Sequence, residues 1–322
     1  MKINDSIFEE EKEEFPWDEN ALKSFKKFIR DQRITCLMDD IFLLGFLRAT
    51  EFDLPCSLLL LKNYYNTRIN YPQYIKNLLP STLEHALNMN MLQFLPEPDQ
   101  NGSYICTFQC ANWDTSVANG TDILRILLLF GDLQLLLHRT QVKEIVFILD
   151  AKGFSLSHFF HLTPRIISAI AILLAKNYPM RFKTIHYVNV NVVFKASLSV
   201  FIPLLPDKMK KTIHIHSDMK TLSDFVSPDC LPSELGGNLP PFDPTEANKM
   251  IKANEEFYRR NKEYVKLYEK SIKNCNENTS CNDEKTKEFI EKAEEIFECH
   301  SKDPEAFLAC LKQNSEFDIN DF

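Results

Sequence analysis

Residues 144–151 read EIVFILDA, an almost unbroken apolar run rich in β-branched side chains. A run this short and apolar suits a strand covered on both faces, and such strands belong in mostly parallel sheets. The flanks agree with an α/β fold. Residues 104–110 (YICTFQC) read as a strand and 121–137 as a helix. Thr163-Pro164 opens a helix through Lys176, residues 182–190 read as a strand, 192–205 as an apolar helix, and 210–217 as a further strand. This βαβαβ rhythm predicts a mixed, mostly parallel sheet.

The chain divides by texture into 1–92, 93–243 and 244–322. The first part reads as a helical bundle. Residues 21–33 carry Leu22, Phe25, Phe28 and Ile29 at helical spacing, Asp39 or Asp40 caps IFLLGFLRAT, and Pro55 opens CSLLLLKNYYNTR. PSTLEHALNM reads as one more short helix. The last part is charged and reads as solvent-facing helices with some disorder, in which Phe257, Tyr258, Tyr264 and Tyr268 contribute to one amphipathic face. It also holds Cys275, Cys281, Cys299 and Cys310. Pairs Cys275/Cys281 and Cys299/Cys310 would clip a hairpin only in an oxidising compartment.

Several function classes are disfavoured. The formal net charge is -8, against bulk nucleic-acid binding. Only 7 glycines occur and none are spaced G-x-G, so dinucleotide and P-loop fingerprints are missing. Residues 1–20 lack a basic flank and apolar core, and no window reaches the ~20 apolar residues of a membrane span. The expectation is a cytoplasmic protein with reduced thiols. Ser155, Ser157, His158 and His161 cluster, but no G-x-S-x-G elbow exists and capping or packing explains them better. His214 and His216 share a strand face without an evident third ligand. No metal or cofactor is expected.

Ile145, Phe147 and Leu149 share one strand face. In the next strand Ile185 and Tyr187 share one face while Phe182 and His186 share the other, so Phe182, Ile185 and Tyr187 are not expected to point the same way. The space beneath the helices is either packed or hollow. The helix at 192–205 presents Val193, Phe194, Val200 and Phe201 next to Lys208, Lys210 and Lys211, with Arg181 and Lys183 upstream. It reads either as a buried helix or as a lid that opens at an anionic membrane, where each nearby cation adds about 1 kcal/mol.

A collinear set of motifs spans residues 20 to 240: DDIFLLGFLRA at 39–49, LKNYY at 61–65, Trp113-Asp114, DAKGF at 150–154, HLTP at 161–164, Tyr178-Pro179 and LPSELGG at 231–237. In these the chain resembles the CRAL-TRIO lipid-binding family, in its tocopherol-transfer and retinaldehyde-binding branch. The resemblance implies a non-enzymatic carrier with a helical N-terminal domain, a lipid-binding domain and a gating helix at 192–205. It implies a pocket including Ile145, Phe147, Leu149, Leu162, Ile170 and Leu173, with Phe182, Ile185 and Tyr187 as further candidates. The ligand classes implied are tocopherol, retinoid and phospholipid. Arg181, Lys183 and Lys208 match a phosphoinositide-binding cluster, with Lys210 and Lys211 as reinforcements. Gly45, Thr50 and Thr212 stand where the family often carries cations. The alternative function is a phosphoinositide-sensing or scaffold module.

Overall fold

A computed structural model describes residues 15–273 except 203–204, 206, 242 and 244, together with residues 291, 294, 297, 302, 303, 306 and 309. The tail cysteines lie outside the described residues.

The centre is a five-stranded sheet in sequential order: β1 (Leu92–Phe94), β2 (Tyr104–Gln109), β3 (Ile145–Asp150), β4 (Phe182–Val188) and β5 (Ile213–Ile215). β1 runs antiparallel to β2, and the other pairs are parallel. The mixed, mostly parallel sheet expected from the strand–helix rhythm is therefore present. β1 spans three residues, too few to show a period. β5 is shorter than the sequence suggests, because Asp207–Lys210 forms a helical turn and pairing begins at Ile213.

The sheet has two unlike faces. On one, Ile105, Val146, Ile148 and Val188 pack against Leu222, Val226, Leu231 and Leu235. These covers come from the segment after β5, which is organised by short 3-10 turns at Met219–Asp224, Pro228–Cys230 and Ser233–Leu235. The other face carries the helices.

The expected N-terminal helices form at Glu19–Asp31, Asp40–Ala49 and Leu54–Asn70. Asp18 caps the first through Asn20 and Ala21 N–H, and Asp53 caps the third, with Pro55 in its first turn. The central helix, Gly120–Gln134, starts in a capping box of Asn119 and Asp122. PSTLEHALNM breaks at Leu83 into a 3-10 turn and the single turn Glu84–Leu87.

One buried carboxylate joins four segments of the helical layer. Asp132 accepts from Arg68 at 2.7 Å, from Tyr64 at 2.8 Å and from the Tyr178 hydroxyl. Asn261 donates to its other oxygen at 3.3 Å and to the Tyr64 hydroxyl at 2.7 Å. Arg68 and Asp132 are about 1% exposed at their side chains. Removing one partner of such a pair strands a buried charge, at a cost of about 3–5 kcal/mol.

Helices Thr245–Ala253 and Glu255–Lys273 correct the solvent-facing expectation for the start of the last segment. Tyr258, Asn261, Tyr268 and Ile272 are buried along one stripe of the longer helix. Tyr258 donates to the Leu129 carbonyl at 2.9 Å, and Tyr268 stacks on Tyr65 at 4.8 Å between ring centroids. Phe257 and Tyr264 are only partly buried.

Candidate functional site

Between the helix-bearing sheet face and its helices lies an apolar cavity of about 190 Å³. Its floor is Phe108 of β2, Phe147 and Leu149 of β3, and Phe182, Ile185 and Tyr187 of β4. Strand alternation forbids the last three from sharing a face, yet they do. The β3–β4 register pairs Ile145 with Phe182 but Val146 with Thr184. A bulge therefore inserts Lys183, and the extra residue returns Ile185 and Tyr187 to the side of Phe182. The sequence expectation was wrong by that one residue.

Leu127 and Ile123 of the central helix, Ile167 and Ile170 of Pro164–Ile170, and Leu162 form the walls. Thr163 caps Pro164–Ile170, which widens into a π-helical turn over Ala171–Lys176. Such turns recur at functional sites, and Ala171 also lines the cavity. Trp113 and Phe154 come from loops, where no periodicity could have pointed to them. Ile145 and Leu173 are 2% and 0% exposed and pack in the core rather than at the cavity.

The Val192–Phe201 helix closes one side. Asn191 caps it by accepting from Phe194 N–H at 3.0 Å, and donates to the Phe154 carbonyl at 2.7 Å. The Phe194 ring stands edge-on to Phe154 at 5.0 Å and to Tyr187 at 5.4 Å. Phe194, Leu198, Leu205 and Met209 reach the cavity, while Val193 is buried elsewhere in the core. The side chains of Val200, Phe201 and Lys208 lie outside the described residues.

The basic residues do not form one cluster of unengaged charges. Arg181 donates to the Val142 carbonyl at 2.6 Å. Lys183, the bulge residue, reaches Ser103 at 3.1 Å and the buried Asp99 carboxylate at 3.5 Å. Lys210 pairs with Asp207 at 3.1 Å, and Lys211 is exposed. The three departures have local reasons. A Cβ on Gly45 would come within 3.0 Å of Leu135 Cδ2 and 3.4 Å of the Gln141 amide, so the site is a helix-packing contact. Thr50 donates to the Phe46 carbonyl and Thr212 to the Met209 carbonyl.

Ser155 and His158 form a capping box at Leu156–His161, and the second ring nitrogen of His158 lies 2.9 Å from the Trp113 carbonyl. The capping reading of these residues holds. His214 and His216 meet a third histidine that spacing could not reveal. Thr221 donates to the Asp218 carbonyl at 2.8 Å, so its oxygen accepts from His216 Nδ1 at 2.7 Å. His216 Nε2 then accepts from His186 Nδ1 at 2.9 Å, and His186 Nε2 accepts from Thr184 at 2.9 Å. This chain fixes neutral tautomers for both rings. Burial drives the His186 pKa down to about 3, helped by His216 and His214, and lowers those of His214 and His216. Among the described residues, no group of three His, Cys, Asp or Glu is placed to hold a metal.

A larger cleft of about 510 Å³ runs along the outer edge of β1. Its lining is mostly apolar, with Phe94, Leu133, Leu137 and Met250, but it also carries the charged side chains of Glu97, Arg139, Asp243 and Glu246. The smaller cavity, with no charged side chain among the described residues that line it, is the stronger candidate for an apolar ligand. No described helix is long and apolar enough to cross a membrane.

Residues 88–237 match the family model described as CRAL/TRIO domain. The chain is 32% identical over 251 residues to the alpha-tocopherol transfer protein-like protein of Mus musculus, covering 77% of this chain and 73% of that one. It is 34% identical over 208 residues to Clavesin-1 of Xenopus laevis, covering 64% of this chain and 63% of the relative. A solved structure, Crystal structure of Sfh5, aligns with a TM-score of 0.45 at 16% identity, over 75% of this chain and 99% of that chain.

Proposed function

Since this chain belongs to the CRAL/TRIO family, we propose that it is a non-enzymatic carrier that encloses one hydrophobic small molecule in the 190 Å³ cavity and delivers it at membranes. The observation that carries this reading is the exposure pattern on β3. Val146 and Ile148 are 2% and 0% exposed, while Phe147 and Leu149 on the cavity side keep accessible surface deep in the fold. A ligand would cover that surface, with a gain of ~25 cal/mol per Å² removed from water.

The cavity is smaller than the roughly 300–1,000 Å³ of ligand-filled pockets, so loading requires a wall to move. The Val192–Phe201 helix is the wall proposed to move. It is held at its start by Asn191 and Phe154, and its continuation supplies Leu205 and Met209. Opening would present an apolar helix with Lys195 and Lys211 exposed nearby, as an anionic membrane surface requires. In this reading the protein is cytoplasmic and associates with membranes reversibly. Phosphoinositide recognition would fall mainly to Lys211, because Arg181, Lys183 and Lys210 already have partners.

Mass spectrometry under native conditions of protein purified from its own source tests the carrier. A copurifying lipid supports it, and an empty cavity favours a scaffold. Phe201→Asp tests the gate. The variant should stay folded, bind anionic vesicles more weakly and transfer lipid severalfold more slowly. Unchanged transfer sinks the gate assignment.

A further inference from the structure

The cavity wall has a second layer, supplied by the last part of the chain. Glu291, Glu294 and Phe297 are helical, and burial rises along them: Glu291 is exposed, Glu294 half-buried and Phe297 only 7% exposed. Phe297 joins the main core cluster. Its ring lies 5.1 Å from that of Phe159 and 5.6 Å from that of Phe160, edge-on to the second at 72°. Both phenylalanines belong to the Leu156–His161 helix.

Glu294 holds the neighbouring helix. Pro164–Ile170 begins with a residue that has no N–H, and Thr163 accepts from the third residue, Ile166. The Arg165 N–H between them has no acceptor within its own helix, and it donates to Glu294 Oε1 at 2.8 Å. The Arg165 guanidinium lies 3.9 Å from the same carboxylate. A side chain 129 residues away thus completes the cap of a wall helix. Neither Glu294 nor Phe297 lines the cavity, whereas Leu162, Ile167 and Ile170 do. The two helices that Glu294 and Phe297 grip also pack directly against the Val192–Phe201 helix. A movement of that helix must be accommodated by these two neighbours, and the last part of the chain fixes both.

Resting on the carrier reading above, which makes the Val192–Phe201 helix the moving wall, we propose that Glu294 and Phe297 form an intramolecular brace that restrains opening of the cavity. Undocking leaves the Arg165 N–H without its acceptor and uncovers Phe159 and Phe160, and the wall loosens. Release of the brace is then the step that permits loading and delivery.

A maleimide reads the opening in the full chain. Cys110 lines the cavity, and Cys36 packs in the N-terminal region. Each is 2% exposed, and burial raises both thiol pKa values, so either reacts only when its surroundings open. Phe297→Asp should speed alkylation of Cys110 about tenfold and leave Cys36 at its wild-type rate. Glu294→Ala, which removes no core side chain, should speed Cys110 about threefold. Glu291→Gln, at the exposed end of the same helical stretch, should change neither. Unchanged Cys110 in both brace variants overturns the proposal, and so does a parallel rise at Cys36, which would mark general loosening of the fold. The carrier itself answers to the copurifying lipid, which the thiol assay does not read, so the two fail separately.

Discussion

Alternate residues of the same strands build the two faces of this sheet, yet one face is solid and the other hollow. On the solid face β-branched and leucine side chains interdigitate, and Ile105, Ile148 and Val188 have no exposure at all. On the hollow face the side chains are largely rings set edge-on to one another. Phe147 meets Phe182 at 87°, and Phe154 meets Phe194 at 90°. Rigid rings in such pairs hold the helix layer off the floor, where flexible aliphatic chains would collapse into the gap. Tight packing lies on one side of a strand and open space on the other, one residue apart.

The largest test of that contrast is a pair of truncations. Ile148→Ala should cost about 3–4 kcal/mol, as expected for a fully packed core site, and Leu149→Ala about 1–2, because its side chain already borders empty space. Equal costs in denaturant unfolding would erase the distinction between the faces.

Acid should find the solid face next. His186 and His216 are locked neutral there, and His214 stacks on His186 at 5.2 Å. Their folded pKa values lie below the ordinary histidine value, so the unfolded chain binds more protons as pH falls. The stability is whole above about pH 6.5 and drains as pH drops toward the folded value of about 3 for His186. His186 alone should remove about 2 kcal/mol between pH 6.5 and 5. His186→Gln should flatten the slope of stability against pH over that interval. A slope that survives the substitution would place the acid sensitivity elsewhere.

The smallest effect on stability comes from filling the hollow. Leu149→Phe should change unfolding free energy by less than about 1 kcal/mol, since space is available, while lipid retention falls severalfold. A large destabilisation would mean that the cavity is not empty room.

Much of this architecture is written locally. Asp39 and Pro55 mark their helix starts, and β3 announces a buried strand of a parallel sheet. The misses share one cause, the long reach of a partner. Lys183 reads as a free cation until Asp99, 84 residues away, neutralises it. The same residue is the bulge that turns Phe182 to the cavity, and no single-strand periodicity contains an insertion. His186 has no sequence link to His216, 30 residues on. The helix Glu255–Lys273 looks solvated because its buried stripe includes an asparagine, whose value lies in a carboxylate 129 residues upstream. Gly45 looks like a lost charge from its position alone, and only the neighbouring Leu135 shows that it is a spacer.

That carboxylate also has a consequence for how the chain comes into being. Asp132 draws its partners from residues 68, 64, 178 and 261. During synthesis Tyr64 emerges first, then Arg68, and the amide of Asn261 last. Until the Glu255–Lys273 helix leaves the ribosome, the interior of the helical layer lacks Tyr258, Asn261 and Tyr268, and Leu129 lacks the hydroxyl that binds its carbonyl. A message interrupted just after residue 237 would therefore yield an unfinished interior, held open for chaperones and proteases, rather than a smaller folded protein.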